Sequence, residues 1–177
     1  MSFKESLQGI AGVITVLVSA GAFAVEAPSP DTAASVVDYY YSDASQPVLI
    51  DFKLCQGVHE EGENKHNCKN EISEGELHEG MQAYLWMKFL VPREASPQIL
   101  MQVSHKGVTR DTMKRQLDGA VRFRTWNVVE LSRSGDWQAQ VFHESGDDVT
   151  EIFSRTLKVE PEQAEAESGM DEDMSGN

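Results

Sequence analysis

From residue 47 to residue 159 the chain alternates apolar and polar side chains in short runs, each closed by Pro, Gly, Asp or Ser. A period of two belongs to a strand with one buried face, and closely spaced turn residues mark where such strands end. Residues 47–56 predict a first strand in which Val48, Ile50, Phe52 and Leu54 point inward and Leu49, Asp51, Lys53 and Cys55 outward. Residues 81–91 predict a second, carrying Tyr84, Trp86, Phe89 and Val91 and ended by Pro92, which has no N–H to donate. Residues 98–105 and 108–113 follow, joined by a Lys106-Gly107 hairpin turn. Residues 120–131 place Arg122 and Arg124 on one face. The last two strands, 136–144 and 151–159, meet across Ser145-Gly146-Asp147-Asp148. Seven or eight short strands with no helix between them predict an all-β fold, an antiparallel immunoglobulin-like β-sandwich spanning 47–159.

The flanks read differently. Lys4, the apolar run 10–23 and the small residues of Ala22-Phe23-Ala24 have the form of an export signal, which assigns 1–24 to a signal peptide. An uncleaved anchor is the competing reading. The run falls a little short of the roughly 20 apolar residues that cross a bilayer, so no stable span is expected after processing. Residues 25–46, rich in Ala, Ser, Asp and Pro, predict a flexible lead-in, within which 35–41 (Ser-Val-Val-Asp-Tyr-Tyr-Tyr) suits a short helix or a docking strand. Residues 160–177 hold seven carboxylates and no Lys or Arg, and are expected to be a disordered acidic tail.

That tail supplies half of a net charge of −14, which makes nucleic acid and anionic membranes poor first guesses as partners. The two cysteines, Cys55 and Cys68, fall in the part expected to be exported, where an even count favours one disulfide. Together these features predict a periplasmic or secreted protein.

Candidate chemistry gathers in two places. His59, His66 and His78, with Glu60, Glu61 and Glu63 nearby, have the side chains that bind zinc or copper. Were both cysteines thiolates, Cys55, His59, His66 and Cys68 would make a four-ligand set, but the spacing is not that of a standard finger and an oxidising compartment favours the disulfide. Between residues 93 and 133, eight cations stand against four acidic residues. Of these, Arg110, Lys114, Arg115, Arg122 and Arg124 are the candidate contact surface for an envelope protein or an acidic glycan, or for the chain's own tail. The competing reading is an ordinary charged outer face with cross-strand pairs. Trp86, Trp126 and Trp137 suit packing better than a sugar platform, and Met81, Met87, Met101 and Met113 are too scattered for a copper relay.

Ser104 and His105 are adjacent, so in a strand they face opposite ways and cannot act on each other. No Gly-x-Ser-x-Gly, Walker, dinucleotide or His-Glu-x-x-His motif occurs. No enzyme activity and no cofactor are therefore expected.

The second half carries an aromatic strand at 84–89, then Ser104-His105-Lys106-Gly107-Val108, Arg122-Phe123-Arg124-Thr125-Trp126, Gly135-Asp136-Trp137 and a closing strand at 156–159. In order and spacing this resembles a bacterial family of short extracytoplasmic β-sandwich domains of unknown function, over about residues 77–159. Lys106 departs from the family pattern, which has an aromatic residue there. The resemblance implies a sandwich and an envelope location, and no reaction. The functional expectation is thus a non-catalytic exported binding module acting through a basic strand face. The alternative is a periplasmic zinc- or copper-binding protein using His59, His66 and His78.

Overall fold

The computed structural model describes residues 28–162. Within them the chain forms one helix, α1 (Pro30–Tyr40), and eight strands. These are β1 (Val48–Val58), β2 (Cys68–Glu71), β3 (Met81–Val91), β4 (Gln98–His105), β5 (Val108–Gln116), β6 (Ala120–Leu131), β7 (Gly135–Ser145) and β8 (Asp148–Val159). They build two four-stranded antiparallel sheets, ordered β2-β1-β3-β6 and β5-β4-β7-β8, packed as a sandwich. The chain changes sheet between β3 and β4, β5 and β6, and β6 and β7, and stays within a sheet at each hairpin. This alternation of hairpins and crossings is the arrangement of immunoglobulin-like sandwiches. The residues assigned from sequence to a signal peptide (1–24) and most of those assigned to an acidic tail (163–177) lie outside the described residues.

Alternation along the strands sorts the side chains between core and surface. Ala83, Leu85, Met87, Phe89 and Val91 of β3 face Ile99, Met101 and Val103 of β4 and Ala139 and Val141 of β7 across a dry interior. Trp137 of β7 is buried in the same core, donating its indole N–H to the Arg133 carbonyl at 2.8 Å. Two contacts close the sides of the sandwich. On one, Asn127 of β6 donates to Asp111 of β5. On the other, Phe52 stacks on Phe153, and Arg155 pairs with Glu74 at 2.8 Å.

Local chemistry fixes the turns. Lys106 and Gly107 both have positive φ, 50° and 75°, which is the two-residue hairpin geometry that fits strand twist. Gly119 is required for a different reason: a Cβ there would lie 2.1 Å from the Arg93 carbonyl oxygen.

Three sequence expectations change. The stretch 25–46, expected to be a flexible lead-in with a short helix or docking strand at 35–41, takes the helix option and starts it earlier, as α1. Ser29 caps this helix by accepting from the Thr32 N–H at 3.1 Å, Pro30 occupies the first turn, and Asp31 complements the helix dipole. Residues 57–72, polar and turn-rich with Cys55 and Cys68 at their base, read from sequence as an excursion from the sheet and are not all loop. β1 continues to Val58, and Cys68–Glu71 returns as β2, with Cys55 paired opposite Glu71 and Val58 opposite Cys68. Third, β1 carries a bulge between Leu49 and Asp51. One extra residue reverses the parity of everything before it. Leu49 therefore joins Phe52 and Leu54 on the core side, while Val48 and Ile50, expected inside, are exposed.

Candidate functional site: a cationic groove beneath the helix

The outer face of the β2-β1-β3-β6 sheet is unusual because β3 is buried on both sides. Trp86 and Leu90 alternate with the core residues and so point away from the core, yet they are only 3% and 7% exposed. Two elements cover them. The first is the loop between β1 and β2, held at its base by the Cys55–Cys68 disulfide, whose Cα atoms are 5.7 Å apart. His66, in this loop, accepts from the Trp86 indole N–H through its backbone carbonyl at 2.7 Å, and its ring lies 5.5 Å from that of Trp126. The disulfide thus shapes the lid over the tryptophan pair formed by Trp86 and its cross-strand neighbour Trp126.

The second cover is α1, and it is incomplete. The helix is fastened at its C-terminal end. There the Tyr40 carbonyl accepts from the Arg93 N–H at 2.8 Å, Arg93 lies over the Tyr41 ring, and the Tyr39 hydroxyl donates to the Gln46 carbonyl. Burial raises the Tyr39 phenol above its usual range. No residue of α1 is buried. Between the helix and the sheet runs an open groove of about 730 Å³. Ala33, Val36 and Val37 line it from the helix, Val48 and Ile50 from β1, Trp86 and Leu90 from β3, and Val121 from the start of β6. Val37 and Ile50 are half exposed, and Val48 and Val121 nearly so.

Three cations stand on the same wall: Lys88, Arg122 and Arg124. The register puts Asp51, Lys88 and Arg124 side by side on neighbouring strands. Asp51 pairs with Lys88 at 3.1 Å, and the Lys88 ammonium lies 5.7 Å from the Trp86 ring centroid. No carboxylate of the described residues pairs with Arg122 or Arg124. Among the described residues the Arg124 Nε is buried without a hydrogen-bond partner. Two like charges side by side on a sheet repel, and an unsatisfied buried donor is costly. An anionic group beside Arg124 would relieve both.

The basic residues singled out from sequence do not form one surface. Arg122 and Arg124 lie on β6 at the groove. Arg110, Lys114 and Arg115 lie on β5, in the other sheet. Lys114 is held by Glu144 of β7 at 2.8 Å, and Arg110 occupies the irregular step in the β4–β5 pairing. Of the histidines, His59 and His66 lie in the same loop, the His66 N–H donating to the His59 carbonyl at 2.7 Å, while His78 lies apart. His66 stacks on Trp126, while His78 faces the Glu79 carbonyl at 3.1 Å, beside the start of β3, where it bridges to Glu160. Among the described residues no three His, Cys, Asp or Glu side chains are placed to share a metal ion. His105 points inward and stacks on Trp137, 5.0 Å between centroids, while Ser104 opens onto the opposite face.

Sequence reasoning passed over Lys88, Leu90 and the helix residues of the groove. The available signal was in 84–91, where apolar residues occupy both parities; a strand of that kind needs cover on both faces.

Fold and groove together define a class: an immunoglobulin-like β-sandwich with a helix laid over one sheet and a cationic, apolar-floored groove beneath it. No family model matches the chain, and no curated protein matches it. Among the described residues no helix is long and apolar enough to cross a membrane. The Cys55–Cys68 disulfide is of the kind that persists in oxidising compartments.

Proposed function

We propose that this protein is a non-catalytic binding module of the bacterial envelope, exported to the periplasm or beyond, and that its groove takes an anionic, amphipathic partner segment. The observation carrying this reading is the conjunction at one place of an open apolar floor and two arginines without carboxylate partners among the described residues, in a chain of net charge −14. Most anionic side chains elsewhere on such a protein repel an acidic ligand, so a local cation surplus selects where it can land. An envelope location agrees with the disulfide, with the form of residues 1–24 and with the family resemblance.

The magnitudes suit a reversible contact. Covering the exposed halves of Val37, Val48, Ile50 and Val121 stabilises a complex by about 1 kcal/mol each. Two charge-assisted hydrogen bonds to arginine add about 3 kcal/mol in all. Set against the translational, rotational and ordering costs of association, which are of similar size, such a gross gain leaves a weak, reversible contact.

The test uses a synthetic peptide of alternating Leu and Glu as probe, titrated while tryptophan fluorescence is followed. The double variant Arg122→Glu, Arg124→Glu is expected to lose binding at least tenfold with no loss of melting temperature. Undiminished binding by that variant would remove the groove from consideration.

A further inference from the structure

The outer face of the other sheet, across the sandwich from the groove, carries a block of side chains with one chemistry. The register aligns Ser104, Gln138 and Thr156 in one row across β4, β7 and β8, and Gln102, Gln140 and Ser154 in the next. Their neighbours along the strands, among them Val103, Trp137, Ala139 and Leu157, are buried in the core, so these six face outward. β5 extends both rows, with Thr109 beside Ser104 and Thr112 beside Gln102. Every position in the block is Gln, Ser or Thr, in a chain of which 25% is charged. Charges stand at its ends: Asp136 and Lys158 beyond the first row, Glu151 beyond the second.

The first row lies in a depression of about 420 Å³. Ser104, 8% exposed, forms its floor, and Lys106, Asp136 and Thr156 stand around it. The Gln138 amide donates to the Ser154 hydroxyl and the Gln140 amide to the Glu151 carboxylate, both at 2.6 Å. These bonds hold the two amides in place and leave each with a second N–H and an oxygen bearing two lone pairs. Among the described residues those groups have no side-chain partner, and neither do the Gln102 amide and the Ser104 hydroxyl. One row further, Leu100 and Phe142 pair on the same face and are half-buried. From the row of Ser104 to that of Phe142 is about 13 Å along the strands, and β4 to β8 about 10 Å across them.

Such a surface selects by what it lacks. A charged ligand would give up water there for no counter-charge, and an apolar one would leave the amides unpaired. A sugar offers each amide and hydroxyl a neutral group that both donates and accepts, and the C–H face of its ring suits an aromatic neighbour such as Phe142. We propose that this face binds a neutral oligosaccharide, held by Gln102, Ser104, Gln138 and Gln140 with one ring against Phe142. The site is independent of the groove, since the two lie on different sheets and share no residue.

The test titrates the protein calorimetrically with cellohexaose, maltohexaose and chitohexaose, with polygalacturonate as the charged comparison. The proposal expects binding of at least one of the neutral three, little changed between about 0.01 M and 1 M salt, a range over which an ionic contact is screened. Joint Gln138→Ala and Gln140→Ala replacement should weaken that binding about tenfold or more. Thr156→Glu, an exposed position, should weaken it as well by placing a carboxylate at the depression, with the melting temperature kept; it reads the site even if the amide pair also supports the sheet. The side-chain amides of Gln102, Gln138 and Gln140 should shift in ¹⁵N spectra as the sugar is added. No binding of the three at millimolar concentration would overturn the proposal. So would preferential binding of polygalacturonate, or an affinity for the neutral sugar that both variants leave unchanged.

Discussion

Arg124 is the residue at which stability and binding pull in opposite directions. Among the described residues its Nε is buried without a partner, and its neighbour across the strand is another cation, Lys88. A residue retained for packing would lose stability on replacement. Arg124→Met keeps most of the apolar stem while removing the repulsion and the unsatisfied donor. It is expected to raise stability by about 1 kcal/mol in urea unfolding, and to abolish capture of the Leu/Glu peptide. A loss of stability in that variant would mean that Arg124 is a structural residue with a partner in the free protein. From sequence, Arg122 and Arg124 were legible as a shared face because residues two apart in a strand must share one. That Arg110, Lys114 and Arg115 belong to a different sheet was not legible. β5 and β6 adjoin in sequence through three residues, 117–119, and only the change of sheet at that short connection separates their charges.

At the scale of elements, the bulge in β1 creates the groove's floor. Without it Val48 and Ile50 would sit in the core, as strict alternation predicts, and the outer face would be polar there. The bulge makes a sharp prediction. Leu49→Ala should cost about 2 kcal/mol, the low end for core truncations because Leu49 is only partly buried. Ile50→Ala should change stability by no more than about 0.5 kcal/mol. The reverse ranking, read by denaturant midpoints, would restore simple alternation. The bulge left no mark in the sequence because Leu49 and Ile50 are both apolar, so each parity offered an acceptable inward set. β2 was hidden for a related reason. Its four residues, Cys-Lys-Asn-Glu, carry no apolar alternation, and the strand exists through pairing with β1 and the Cys55–Cys68 bond. α1 was legible only as a short helix or docking strand over 35–41, because a proline- and alanine-rich flank resembles a linker whenever the sheet that receives it is unknown.

At the scale of the molecule, the sandwich followed from patterning alone, since two sheets with one dry interior impose a period of two on nearly every strand. The site did not, because it is made between elements: a helix from before the sandwich, a disulfide-shaped loop and the outer face of a strand whose other face is core. The outcome is an acidic protein with a cationic recess among its described residues. The most direct measurement is to map where the Leu/Glu peptide contacts the protein, by ¹⁵N chemical-shift perturbation at low and high salt. Shifts confined to the Trp86 indole, residues 121–124 and α1, fading as salt rises to about 1 M where screening is short-ranged, are the predicted result. Shifts centred on Arg110 and Lys114 of β5, or spread evenly over the surface, would contradict it.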